Sequence, residues 1–346
     1  MKVLFAKWRA LGDSVLLSAQ VDDLKRYRPQ IEVHLWIPEA HSGLFTRDSR
    51  VERVWSYRGW DWQQIRQLRS ERFDAVFGFH AQSRLQWSLL LLGASVRGIH
   101  DHHLKRRNRF STLTVAGKGE VWPATLRDAA TWRCAFAGLV PPALRGGAMP
   151  APCLVPLDQE PTSPVVPRLL LGWGASVQAK RWPAAYWLEL IERVVKRWPK
   201  LRLTALVGEN ESVEELGPCL SQLEIWRGLG LEQLRQKIPN AVAFFGHDSG
   251  PKHLCAALGV RTLTLFGPQD PWEWHPYNTR EHPYLQIEPL ACRNSQEPGY
   301  PPWCGKHQCE AYSPEAHRCM RDLKPQRVFG ALEQLIGLSP AAKFLT

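Results

Sequence analysis

The stretch 245–267, FGHDSGPKHLCAALGVRTLTLFG, leaves this chain few ways to fold. An apolar run enters a short polar loop, a helix-periodic segment follows, and Gly259 separates it from a second apolar run. Asp248 or Ser249 is placed to cap the helix, Pro251 suits its first turn, and Gly259 suits a left-handed stop. A helix that starts this way points free N–H groups and a positive dipole end out of the loop. That is a site for an anion such as a diphosphate. Gly250 allows close approach, and Lys252 and His253 fall in the first turn, where either could reach the same anion.

The rest of the chain repeats the strand–helix alternation. KVLFA opens it as a buried strand, followed by a loop with Gly12 and Asp13, where Asp13 or Ser14 can cap a helix. IEVHLWIP, VERVWSY, FDAVFGF and VRGIH read as further strands, with a Trp-rich helix over 60–68 and a helix SRLQWSLLLLGA ended by Gly93. Another helix is expected around 129–139. The segment 141–168, PPALRGGAMPAPCLVPLDQEPTSPVVPR, is rich in Pro and Gly and lacks periodicity, which marks a domain boundary. Beyond it come the strand RLLLGWG, the amphipathic helix PAAYWLELIERVVKRWP, the strand LRLTALVG, the helix GLEQLRQKIPNA, the opening stretch and a last helix, PQRVFGALEQLIG. Strands alternating with helices predict an α/β fold with parallel sheets covered on both faces.

Charge and cysteine usage narrow the partners. The formal charge of +11 fits nucleic acid, an anionic membrane surface or a phosphorylated substrate. The densest basic run, RGIHDHHLKRRNRF, carries Arg97, Lys105, Arg106, Arg107 and Arg109 with almost no acid, and reads as an anion site or a solvated loop. It lacks interleaved aromatics, and no helix-turn-helix or finger spacing appears, so a nucleic-acid partner is set aside. No apolar run is long enough to span a bilayer, and MKVLFAKWRALGDS does not read as a signal peptide, so a cytoplasmic protein is expected. The eight cysteines do not make a disulfide scaffold. Cys292, Cys304, Cys309 and Cys319 are spaced C-x11-C-x4-C-x9-C without a tight pair. Packed thiols, a structural zinc and disulfides all remain open for them.

Three further places carry chemistry. In 172–183, GWGASVQAKRWP, a strand feeds a loop with Gly174 and Ser176 and then a helix start, and Lys180 and Arg181 add charge for a phosphate. The loop is neither a dinucleotide fingerprint nor a Walker loop. In VGENE, Glu209 stands at a strand's carboxyl end, where ligands bind in open α/β sheets and a carboxylate accepts both hydroxyls of a ribose. At the N-terminus, Asp13 ends the first strand's loop, as a cap or as a general base for a hydroxyl.

Taken in order, ALGDSVLLSA, AKRWP, VGENE and DSGPKHLCAALGVRTLTLFGP resemble the lipopolysaccharide heptosyltransferases, glycosyltransferase family 9. The resemblance covers both halves, while 40–165 is similar only in layout. It implies a GT-B fold, two Rossmann-like domains facing across a cleft. The first, 1–160, would bind acceptor, the second, 161–325, would bind donor, and a helix and tail over 326–346 would cross back to the first. It implies an inverting transfer of heptose from ADP-heptose to the inner core of lipopolysaccharide, at the inner face of the inner membrane. Another nucleotide-sugar transferase of the same architecture is the alternative. By the resemblance Asp13 would be the base, Lys180 would stabilise the departing diphosphate, and Glu209 would hold the ribose. Asp248, Ser249, Gly250 and His253, with Gly174 and Ser176, would frame the donor. Gly12 and the basic residues Arg97, Lys105, Arg106, Arg107 and Arg109 would meet an anionic glycolipid acceptor or the anionic membrane surface. No cofactor would be required.

Overall fold

The computed structural model describes residues 1–80, 82–101, 113–116, 123–138, 149–157, 166–293, 304, 306–309 and 316–338. The chain divides into two units, Met1–Val155 and Pro156–Thr346, where the sequence suggests a boundary at 160.

The first unit runs β1 Lys2–Ala6, α1 Leu11–Tyr27, β2 Glu32–Pro38, β3 Arg53–Tyr57, α2 Trp62–Ser70, β4 Ala75–Gly78, α3 Ser83–Leu91, β5 Val96–Asp101, β6 Leu113–Ala116 and α4 Ala124–Arg133. Its strands pair in parallel in the order β3-β2-β1-β4-β5-β6. Alternation along β1 sorts the two covers. Leu4 and Ala6 pack with Ile65 and Leu68 of α2 and Leu85 and Leu89 of α3. Phe5 turns the other way, toward Trp132 of α4. A strand buried on both faces must be apolar at every position, which is why KVLFA shows no polar alternation.

Three helix starts differ from the sequence reading. α1 begins at Leu11 with Ala10 as its cap, so Asp13 lies inside the first turn and its carboxylate is not used as a cap. α2 begins at Trp62 because Asp61 takes the cap, accepting the Gln63 N–H at 2.8 Å. α4 begins at Ala124, ahead of the expected 129, because Pro123 supplies the residue that enters the helix.

The second unit runs β7 Arg168–Gly172, α5 Ala184–Arg197, β8 Arg202–Val207, β9 Leu223–Arg227, α6 Leu231–Lys237, β10 Ala243–His247, α7 Gly250–Ala257, β11 Thr262–Leu265, α8 Pro271–Trp274, β12 Tyr284–Leu285, α9 Arg318–Arg321 and α10 Pro325–Gly337. The order β12-β11-β10-β7-β8-β9, all parallel, repeats the pattern of the first sheet. β9, LEIWR, is not among the strands read from the sequence, and it pairs with β8. α5 buries Trp187, Leu190, Ile191 and Val194, one stripe at helical spacing, against Leu169 and Leu171. α10 buries Val328, Leu332, Leu335 and Ile336 in the same core. Its apolar stripe packs against α5, β10 and β11. The tail from 339 lies outside the described residues.

β7 and β10 approach closely where glycines face each other near their carboxyl ends. Gly172 and Gly246 are register partners. A Cβ on Gly246 would stand 2.8 Å from the Gly172 carbonyl oxygen, and one on Gly172 would stand 2.5 Å from the Phe244 ring. Gly246→Ala should therefore lower stability by about 1–3 kcal/mol in denaturant titration. Gly330→Ala, inside α10 with open space at its Cβ, should raise it by about 0.5–1 kcal/mol.

Candidate active site

In the second sheet the chain leaves β7 toward β8 on one side and leaves β10 toward β11 on the other. The crevice between the carboxyl ends of β7 and β10 is a topological switch point, the usual ligand position in an open α/β sheet. His247, the last residue of β10, ties the two strand ends together. Its Nε2 accepts the Trp182 N–H at 2.9 Å, which leaves Nδ1 as the donor facing the Gly174 carbonyl at 3.4 Å. Burial lowers its pKa to about 4, so the neutral ring clamps the loop 174–182.

Asp248 follows at the bottom of the crevice and is buried. Its Oδ2 accepts from Lys180 Nζ at 2.8 Å and its Oδ1 from Lys252 Nζ at 2.7 Å. Burial alone would push this carboxyl up, but Lys180 and Lys252 outweigh burial and hold it well below the usual carboxylate range. Lys252 also donates to the Trp274 carbonyl at 2.9 Å and lies over the Phe266 ring. Burial lowers its pKa. His253 meets the Tyr277 hydroxyl at 2.7 Å, and burial keeps its ring neutral, well below the usual imidazole range. Burial also lowers His275 to about 3 and His282 to about 4.

The sequence reading is corrected here in two respects. Lys252 and His253 point into the protein, because the first turn of α7 packs on β10 and β11, and they do not present their charge to the loop. Ser249 is the cap residue, yet its hydroxyl donates to the His247 carbonyl at 3.2 Å and leaves the N–H groups of α7 uncapped by a side chain. Gly259 does adopt the left-handed stop, at φ +80°. Lys180 retains 18% side-chain exposure, so it is the member of the cluster that faces outward.

A cavity of about 580 Å³ opens along the loop that follows β7, bordered by Trp173, Gly174, Ser176, Arg181, Asn210 and Glu211. That is the size range of small-ligand sites. Glu209 does not line it. The turn at Gly208 folds the chain so that Glu211 accepts the Gly208 N–H at 3.1 Å, and a Cβ on Gly174 would overlap the Glu211 carboxylate. Glu209 instead packs beside Gly228. Glu211, two positions later than the residue the strand end suggests, therefore borders the cavity, together with Glu215.

In the first unit the matching switch point lies between β1 and β4. Buried Lys7 donates to buried Asp128 at 2.6 Å and stands 3.6 Å from Asp13, which keeps 15% side-chain exposure. Ser14 Oγ and His41 Nδ1 are 2.8 Å apart beside it. Trp8 stacks on Tyr57 with ring centroids 3.8 Å apart. Gly12 sits in the first turn of α1. Arg97 donates locally to the Ala94 carbonyl at 2.6 Å, while Lys105, Arg106, Arg107 and Arg109 lie outside the described residues. In the second unit Cys292, Cys304, Cys309 and Cys319 border one cavity of about 330 Å³. Among the described residues no group of three His, Cys, Asp or Glu is arranged to hold a metal ion. No described helix is long and apolar enough to cross a membrane.

Residues 158–300 match the family model described as glycosyltransferase family 9 (heptosyltransferase). The chain is 25% identical to lipopolysaccharide heptosyltransferase 1 of Pseudomonas aeruginosa, over 97% of this chain and 98% of that protein. It is 28% identical to lipooligosaccharide heptosyltransferase 2 of Campylobacter jejuni, over 47% of this chain and 49% of that one. Two solved structures share the fold. A glycosyl transferase family 9 protein from Veillonella parvula gives a TM-score of 0.76 at 15% identity, covering 98% of each chain. The E. coli ADP-heptose lps heptosyltransferase II gives 0.73 at 20% identity, covering 97% of this chain and 98% of that one.

These similarities make the chain a glycosyltransferase, with the family 9 model matching within its second unit.

Its two parallel sheets are those of a GT-B glycosyltransferase, and it is an enzyme of that class. Against that background, the residues the sequence reading missed are Glu211 and His247. Glu211 had a signal, since VGENE offers two acids and only the first was singled out. His247 had none, because its role depends on the Trp182 and Gly174 backbone groups that the fold brings to it.

Two measurements test the cluster. Asp248→Asn leaves two ammonium groups around a neutral amide and should cost about 3–5 kcal/mol of stability. Adding Lys252→Met to it should recover part of that loss, because the excess buried charge is gone. His247, His275 and His282 titrate lower in the folded than in the unfolded chain, so below about pH 6.5 the unfolded state takes up protons first. Stability is then full above that pH and falls as the pH drops toward 4. A melting temperature that stays flat through this window would contradict neutral buried rings.

Proposed function

We propose that this glycosyltransferase transfers heptose from ADP-heptose to the inner core of lipopolysaccharide, with inversion at the anomeric carbon. The similarity of nearly the whole chain to lipopolysaccharide heptosyltransferase 1 supports the reaction. One structural observation carries the donor assignment: Lys180 faces outward from a buried pair with Asp248, on the same loop as Gly174, Ser176 and Arg181, which border a cavity together with Glu211. The cluster holds two ammonium groups against one carboxylate, so an incoming diphosphate meets excess positive charge.

In this reading Asp13 takes the proton of the accepting hydroxyl as the oxygen attacks the anomeric carbon. The bond from that carbon to the diphosphate breaks, and ADP leaves with the electron pair. Lys180, the N–H groups at the start of α7 around Ser249 and Gly250, and Arg181 stabilise the charge that develops on the departing phosphate. Buried Lys7, 3.6 Å from Asp13, holds the base in place. Glu211 accepts the ribose hydroxyls in place of Glu209. Asp248 and His253 position this wall without touching the donor. The acceptor is an anionic glycolipid, met by the first unit and its basic run, and the enzyme works at the inner face of the membrane.

Asp13→Ala should abolish heptose transfer while ADP binding, measured by calorimetry, stays unchanged. Near-normal turnover would remove Asp13 as the base. Glu211→Ala should weaken ADP binding about tenfold or more, while Glu209→Ala should leave it unaltered.

A further inference from the structure

The first unit presents tryptophan where a monomeric protein normally hides it. Trp60, Trp62 and Trp87 are 38%, 57% and 47% exposed, although most tryptophans of the described chain are buried. Trp60 and Trp62 pack edge to face with centroids 5.2 Å apart, so they form one aromatic projection. Trp62 opens α2, and Trp87 lies on α3 at a position facing away from the buried Leu85 and Leu89.

Within the two helices the charges have one sign. The helical sequences WQQIRQLRS and SRLQWSLLL contain Arg66, Arg69 and Arg84 and no acid. Trp62, Arg66 and Arg69 follow at i, i+4 and i+7, so they form a single stripe beside the buried Ile65 and Leu68. Arg69 lies 4.0 Å from the Cβ position of Gly93, just past α3, which sets this stripe along the neighbouring helix. Asp61, the acid between the two tryptophans, is engaged by the Gln63 N–H at the start of α2.

We infer that the outward face of α2 and α3 docks the enzyme on an anionic phospholipid surface. Tryptophan is the side chain suited to the headgroup layer, with an apolar body and an N–H that stays wet. Arginines interleaved with it gain from the negative potential of an anionic leaflet. A saccharide would need a concave site with several polar groups, whereas this face is the outer side of two packed helices. The helices start just after the carboxyl ends of β3 and β4, at the sheet edge that carries Asp13. Docking through them holds that edge close to the plane from which a lipid-anchored acceptor projects. The inference rests on the glycolipid acceptor proposed above.

The test uses the full chain and two kinds of vesicle, phosphatidylcholine alone and phosphatidylcholine with phosphatidylglycerol. Sedimentation should show binding to the second and not the first, weakening as salt is raised. Two variants, Trp60→Ala/Trp62→Ala/Trp87→Ala and Arg66→Gln/Arg69→Gln/Arg84→Gln, should each lose about tenfold or more in partitioning. Their melting temperatures should match the parent because the altered side chains are exposed. Both variants should keep parental turnover of ADP-heptose on a water-soluble acceptor oligosaccharide without acyl chains. Parental vesicle binding by both variants would overturn the inference, as would absence of parental binding or self-association of the parent through this face without lipid. Failure of the parent to turn over ADP-heptose on the soluble acceptor would instead sink the assigned reaction, and the vesicle result would still decide the docking face.

Discussion

A carboxylate shared by two lysines governs the second unit. Asp248 is the residue just beyond β10, and its two oxygens reach Lys180 on one side and Lys252 on the other. A buried charge is costly unless it is paired and hydrogen-bonded. Here the pairing also fixes position: Lys180 comes from the turn after β7, and Lys252 from the first turn of α7. The carboxylate therefore holds a loop from one strand and a helix from another in a single arrangement. The cost of desolvating three charges is offset by short contacts, and the net excess of one positive charge remains at the crevice.

Neutral rings surround that charge. His247, His253, His275 and Tyr277 are buried around the cluster, and burial keeps each in its uncharged form. Were these imidazoles protonated, positive charge would accumulate with only Asp248 to balance it. Keeping them neutral lets them act as hydrogen-bonding struts, as His247 does between Trp182 and Gly174. The same low-dielectric surroundings strengthen any interaction between Lys180 and an incoming phosphate. Structure and electrostatics are thus one design in this unit: the packing that fixes the crevice also sets its charge.

The first unit is built on the same sheet order but arranges its charges differently. Lys7 stands between Asp128 and Asp13, so two carboxylates share one ammonium, the reverse of the two lysines on Asp248. The excess there is negative, and it lies on the partly exposed Asp13. An acid beside the first strand suits proton acceptance, and a base beside the seventh suits anion binding. The two sheets, alike in topology, have diverged in the sign of the charge left over at their switch points.

The sequence by itself determined the alternation of strands and helices, the parallel sheets, the Gly259 stop and the switch-point loops, because each follows from local periodicity and backbone preference. It also brought out Asp13, Lys180 and Asp248, since acids and bases at strand ends stand out against apolar runs. Only the tertiary structure decided which polar groups turn inward. Lys252 and His253 share a helical turn with residues that face the loop, and packing of α7 on the sheet buries them. Glu211 rather than Glu209 borders the cavity because the turn at Gly208 and the missing side chain of Gly174 leave room for its carboxylate. Such choices depend on contacts between residues distant in the chain, and no local pattern encodes them.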